Sequence, residues 1–326
     1  MTTYPAIHYD PRLVEEAVFH SQHDPGVARE LDVARNRIYE VADADEKEVL
    51  FNDLNCSWFI RLGLDKTIER ALQEQPIIGE QVKTGFVVRA THRKQEGAEL
   101  FVAPSSEQHR TPRRTLRLLL RSESLFEGEA LLTFLRHEFF HIADMLEPSF
   151  AYEPALPKAE GGPTYDTLLI NRYRVLWDIT INGRMARRGW LEDSLRDHQL
   201  SEFSQAFPML EEQSERCFRR FFDAEQPNHA ALAAFAIDPR AAADPQQGRS
   251  AAATHCPLCR FPSHSFAPHP EALGVEVLAA IRQDFPHWTP ARGLCTQCAD
   301  LYRASRLSLA AAKALPGWSR DKYTIG

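Results

Sequence analysis

No stretch of the 326-residue sequence stays apolar for the ~18 residues that a membrane-spanning helix needs, so the chain offers no helical route across a bilayer. The N-terminal MTTYPAIHYDPRLVEE lacks a basic segment followed by an apolar run, and no secretory signal is expected. Positive charge is not in excess: the formal net charge is -7 and the pI about 6.0, which argues against non-specific nucleic-acid binding. Cysteine is scarce, six residues in all, but four of them fall in two C-x-x-C pairs. In a chain without an export signal, that pattern favours metal binding over disulfides and a cytoplasmic location. Cys56 and Cys217 have no such company and are expected to be buried thiols.

What is present is ordinary in bulk and informative in detail. Hydrophobic residues at 44% and charged residues at 25% describe a globular chain large enough for one large and one small domain. The informative stretch is Leu135-Arg136-His137-Glu138-Phe139-Phe140-His141-Ile142-Ala143-Asp144-Met145, which contains H-E-x-x-H. From Glu129 to Leu146 there is no proline and the segment is apolar nearly all round, as in a buried helix. On such a helix His137 and His141, four apart, lie on one face and can bind one metal together. Glu138 adjoins the first imidazole and can act as base toward a water in the metal's open position. Two imidazoles, a carboxylate and a free coordination position are the parts of a zinc hydrolase.

Through this motif and its setting, about sixty to eighty residues, the sequence resembles the zincin metallopeptidases. The surroundings are read accordingly. Residues 11–80 are expected to be helical, with Glu46–Leu64 and Lys66–Leu72 showing apolar residues at helical spacing. Runs at 85–90 and 98–102 suggest a β-hairpin through Gly97, and Thr115–Arg121 a third strand. Ser124 and Glu127 form an S-x-x-E capping pattern ahead of the motif helix. The resemblance implies an edge strand beside the metal for substrate to pair with, and Thr115–Arg121 is the candidate. Its arginines also suit the solvated face of a half-buried strand. A Pro- and Gly-rich loop after Pro148 carries Tyr152 and Tyr165 and is placed to shape a cleft. A second long helix is expected from about Thr167 to Arg188, ended by Gly189, with a polar row of Asn171, Arg174, Asp178 and Asn182. A further helical region, 191–222, contains the amphipathic run RCFRRFF.

Three protein ligands and a water are usual at a catalytic zinc, so a third ligand is needed. Asp144, three residues after His141, is better placed to accept from an imidazole N–H than to bind metal. Glu147 stands where the metzincin subgroup has a histidine, but the preceding turn glycine is Asp144 here and the Met-turn signature is missing. Asp178, 37 residues past His141 on the following helix, resembles the acidic ligand of gluzincins and is preferred, with Glu147 the alternative and Asp166 a further acid. Gluzincins usually supply Glu within N-E-x-x-S-D, which this chain lacks, although Asp178–Asn182 is similar to the D-x-x-I-N segment of some minimal zincins. Tyr152, Tyr165, Tyr173 and Arg174 are candidates for the oxyanion donor.

At Asp223 the composition turns to Ala, Asp, Pro and Gln, read as a linker over 223–254. Beyond it, Cys256-x-x-Cys259 and Cys295-x-x-Cys298 place four thiolates for a closed tetrahedral zinc, with a helix at 270–285 between them and another at 299–313. His255, His264 and His269 are spare donors. The ion's role there is structural, letting about 70 residues fold on a small core. The expected organisation is thus α+β: a mainly helical zincin-like metallohydrolase domain with a small sheet at 1–222, the linker, and a ribbon- or treble-clef-like zinc module at 255–326. The expected function is a cytoplasmic zinc-dependent hydrolase, a metallopeptidase with one catalytic and one structural Zn2+, acting on a peptide or protein. Its module is available to a protein partner, and neither nucleic acid nor membrane is expected to bind. Two alternatives remain: a non-catalytic adaptor on a zincin scaffold, which has no need of Glu138, and a protease like the SprT family, which joins H-E-x-x-H to a zinc ribbon and acts on DNA-associated proteins.

Overall fold

The structure, a computed structural model, describes residues 5–103, 112–156, 163–192, 194–243, 254–263 and 266–304. It is α+β and mainly helical, and it divides into two compact units, residues 1–148 and 149–326.

In the first unit, β1 (Ala6–Tyr9) leads into five helices, α1 (Pro11–His20), α2 (Pro25–Tyr39), α3 (Ala44–Arg61), α4 (Lys66–Gln73) and α5 (Pro76–Gln81). Local chemistry sets the starts of the first three. Asp10, Asp24 and Asp43 are N-caps whose carboxylates accept from Arg12 N–H at 2.9 Å, Gly26 N–H at 2.8 Å and Glu46 N–H at 2.8 Å. Pro11, Pro25 and Pro76 each open a helix, where the missing N–H costs nothing.

The sheet follows, with strands β2 (Thr84–Arg89), β3 (Gly97–Ala103) and β4 (Arg113–Leu120) in the order β1-β2-β4-β3. β1, β2 and β4 run parallel and β3 is antiparallel to β4. Two expectations are corrected. The runs at 85–90 and 98–102 do not pair as a hairpin, because β4 returns and inserts between them. Nor is Thr115–Arg121 the edge: β4 is hydrogen-bonded on both sides and buries Leu116, Leu118 and Leu120, whereas β3 closes the sheet and exposes Glu99, Phe101 and Val102. The arginines of β4 are half-buried or exposed, and Arg117 meets Glu99 across the ladder at 3.5 Å.

Helix α6 (Glu129–Leu146) carries the H-E-x-x-H motif and packs against α4, α5 and β3. Leu132, Leu135, Phe139 and Ile142 on α6 join Leu13, Val18, Ile68 and the β4 leucines in one core. Its N-terminus is not the expected S-x-x-E cap. Ser124 sits in a 3-10 turn, Glu123–Phe126, and its hydroxyl donates to Glu96 at 2.6 Å, while Gly128 with φ 51° reverses the chain into the helix.

In the second unit, α7 (Pro163–Arg187) is the longest helix among the described residues. Gly189 (φ 69°) ends it, and Trp190 N–H returns to Met185 C=O at 3.0 Å, the left-handed glycine stop. α8 (Ser194–Ala206) and α9 (Ser214–Phe222) follow, and RCFRRFF buries Cys217, Phe218, Phe221 and Phe222 while its arginines face water. Gly183 is where α7 meets α9: a Cβ there would lie 1.7 Å from the Phe222 carbonyl oxygen.

The stretch expected as a linker holds α10 (His229–Ile237) and α11 (Pro239–Ala243), and α10 buries Leu232, Ala233, Phe235 and Ala236. Small alanines let α10 lie close to α7, so low side-chain volume here marks tight packing, not a spacer. Residues 244–253 lie outside the described residues. The C-terminal segment has β5 (Thr254–His255) paired with β6 (Pro262–Ser263), then α12 (Val275–Asp284) and a helix over 296–304. The remainder of the helix expected over 299–313 lies outside the described residues. No helix among the described residues is long and apolar enough to cross a membrane.

Candidate metal centres

The cysteine centre is the more complete. Cys256 and Cys259 flank the turn between β5 and β6, where Cys256 N–H donates to Phe261 C=O at 2.9 Å and Arg260 takes φ 60°. Cys295 and Cys298 straddle the start of the 296–304 helix. All four are buried, Cys256 and Cys298 Sγ lie 3.9 Å apart, as do Cys259 and Cys295, and the four sulfurs are within 4.8 Å of one another. Backbone N–H groups support the sulfurs: Cys295 N–H points at Cys256 Sγ and Cys298 N–H at Cys295 Sγ, both at 3.3 Å. Hydrogen bonds from Cys259, Cys295 and Cys298 hold the Cys256 thiol low, while the same kind of bond holds Cys298 high. Four close, buried sulfurs that must otherwise share protons in this way suit a thiophilic ion such as zinc. Of the spare histidines, His255 and His269 are exposed, and His264 lies outside the described residues. Cys217 is buried, but Cys56, expected to be, is exposed, because it falls on the solvent side of α3.

The second candidate starts on α6. His137 and His141 are half-buried, with ring centres 5.0 Å apart and planes at 73°. Glu138, between them in sequence, is held by the sheet edge: Ala98 N–H of β3 donates to Glu138 Oε2 at 2.8 Å, and Glu138 Oε1 is 3.7 Å from His137 Nδ1. A Cβ on Gly97 would come within 3.3 Å of the same Oε2. Burial pushes the Glu138 carboxyl up, but the adjacent His137 imidazole, the charge of His141 and the Ala98 N–H together hold it below the usual carboxylate range. This carboxylate is therefore ionised at neutral pH and fixed in direction. Arg136, buried beside His137, grips Glu74 at the C-cap of α4 with two bonds of 2.7 Å and sets the rotation of α6.

The other expected site residues are distributed as follows. Asp144 is buried on α6, and Glu147 is exposed at the C-cap of that helix with extended backbone. Neither they nor Asp166 belong to a group of donors able to share one ion among the described residues. Asp178 is half-buried on α7, in the second unit. Along its polar row, Asn171 and Arg174 are exposed and Asn182 is buried. Tyr173 is buried and its hydroxyl meets His229 Nδ1 at 2.7 Å; Tyr152 packs over Trp177 and His229 with centres at 5.6 and 5.7 Å. Burial raises the Tyr152 phenol and lowers His229, whose imidazole is nearly enclosed. The Tyr165 side chain lies outside the described residues.

Arg136, Ala98, His229 and Arg172 were not singled out by sequence. An arginine inside a nearly all-apolar helix was the available signal for Arg136, since a buried guanidinium demands a carboxylate. No family model, curated protein or solved structure matches the chain.

Proposed function

We propose that the chain is a zinc-dependent hydrolase, a metallopeptidase of the cytoplasm acting on peptide or protein substrates, in which His137, His141 and Asp178 hold the ion and Glu138 is the general base. The observation that carries the reading is Glu138: an ionised carboxylate next to an imidazole pair, its second oxygen tied to the amide of an edge strand. The donor chemistry agrees. Two imidazoles from one helix and a single carboxylate make up the donor set of hydrolytic zinc.

When bound, zinc would supply a polarised carbonyl and a water acidified toward pKa ~7. The chain's own residues do the rest. Ala98 N–H fixes one Glu138 oxygen, so the other is left to accept the proton of the attacking water and pass it to the leaving amine. Among the oxyanion candidates, Arg174 is exposed and Tyr152 half-buried, whereas Tyr173 directs its hydroxyl to His229. The cysteine module is assigned a structural ion and a recruiting role toward substrate or a protein partner.

The test is zinc content with turnover. Two zinc ions per chain and hydrolysis of casein are expected, with Glu138→Gln keeping both ions and losing hydrolysis. One ion per chain, or equal hydrolysis by the variant, would overturn the reading. Two ions with no hydrolysis of any protein tried would leave a binding module instead.

A further inference from the structure

Arg172 heads the largest fully buried side chains of the described residues, at 2% exposure, on α7. Its guanidinium lies where both cysteine turns converge. Nη2 donates to Gln297 Oε1, and Gln297 stands between Cys295 and Cys298. The guanidinium carbon is 5.4 Å from the ring centre of Phe261, whose carbonyl receives the Cys256 N–H. From the other side Nη1 donates to Ala236 C=O of α10 at 3.3 Å, and the Phe207 ring is 5.8 Å away. A flat fork that reaches two acceptors and stacks on rings explains arginine here, since lysine offers a single point charge.

Gln297 and Phe261 keep these places only while the two turns are held together. Four buried sulfurs without an ion share protons or repel, so the turns loosen when the metal leaves. We propose that Arg172 is a positioning residue that couples the cysteine-bound ion to α7, so that occupancy of the Cys256, Cys259, Cys295 and Cys298 site sets how firmly α7 is held. Asp178 is six residues further along that helix, ~9 Å at 1.5 Å per residue. The bearing on hydrolysis rests on Asp178 being a metal ligand as proposed above; the coupling does not.

Hydrogen exchange of the full zinc-loaded chain reads the coupling directly. Gln297→Ala keeps all four sulfurs and is expected to retain the cysteine-bound zinc while exchange over residues 166–178 speeds up about tenfold, the worth of one hydrogen bond to a charged group. Gln297→Glu, which gives Arg172 a carboxylate, restores protection. Removing the zinc by Cys295→Ser reproduces the alanine effect. Unchanged exchange over 166–178 in Gln297→Ala, or an equal increase in α3 of the first unit, would overturn the proposal. Cobalt loading separates the two ideas: thiolate bands report the cysteine site, and if no second cobalt binds, the hydrolase reading fails while the exchange result stands.

Discussion

The cysteine and histidine regions of this chain set metal-binding donor types in opposite surroundings. The cysteine set is all sulfur, 4% exposed or less at every ligand, and braced by backbone N–H groups. It has no room for a substrate. The histidine pair is half-buried, comes from one helix, and is accompanied by a carboxylate that an edge strand aims. A closed cage of four protein ligands stabilises a fold, whereas an unfinished one leaves a coordination position for chemistry. The contrast lies in what surrounds the donors more than in the donors.

The contrast breaks first if the cysteine centre proves dispensable. Structural zinc contributes ~10–16 kcal/mol of apparent binding energy in small modules, so Cys256→Ser with Cys259→Ser is expected to lose one zinc and all exchange protection over 254–304. Protection in α1–α6 is expected to be unchanged. Next in size is Glu138→Gln, for which a loss of about 10²–10⁴-fold in hydrolysis is expected with both zinc ions kept. Equal losses of metal and rate would make Glu138 a ligand or a strut, not a base.

Two smaller effects sharpen the role of α7. Gly183→Ala puts a methyl group into the Phe222 carbonyl and must push α7 from α9. A cost of ~1–3 kcal/mol, typical of overpacking, is expected in thermal unfolding. His229 bears on the same helix through Tyr173. Its folded pKa lies below the unfolded value of 6.5, so the unfolded chain binds the extra proton first. Its share of stability is full above 6.5 and is lost as pH falls through the folded pKa. His229→Gln is expected to flatten that acid limb in urea titrations; an unchanged slope would assign the loss to other groups.

Short-range patterns made much of this visible in the sequence. The four-residue spacing of His137 and His141, the paired C-x-x-C turns and the Gly189 stop of α7 are local, and each has its cause within a few residues. The strand order is not local. Nothing within β4 says that it will insert between β2 and β3, although its leucine run suits a strand covered on both sides. Nor does composition separate a linker from α10, because alanine is common to both and only the packing of Leu232 and Phe235 decides. Arg172 was hidden for the same reason: its partners Ala236, Phe261 and Gln297 are 64 to 125 residues away.

The bare α-carbon of Gly97 leaves Glu138 an adjustable backstop. A methyl added there would meet Oε2 at 3.3 Å and nudge it by a few tenths of an ångström, too little to unfold β3 but enough to lengthen the bond from Ala98. That bond favours the ionised carboxylate, so in Gly97→Ala the acidic limb of the pH–rate curve is expected to move to higher pH, the gentlest change in this series. One missing side chain on a neighbouring strand would then govern the acidity at which the carboxylate begins to work.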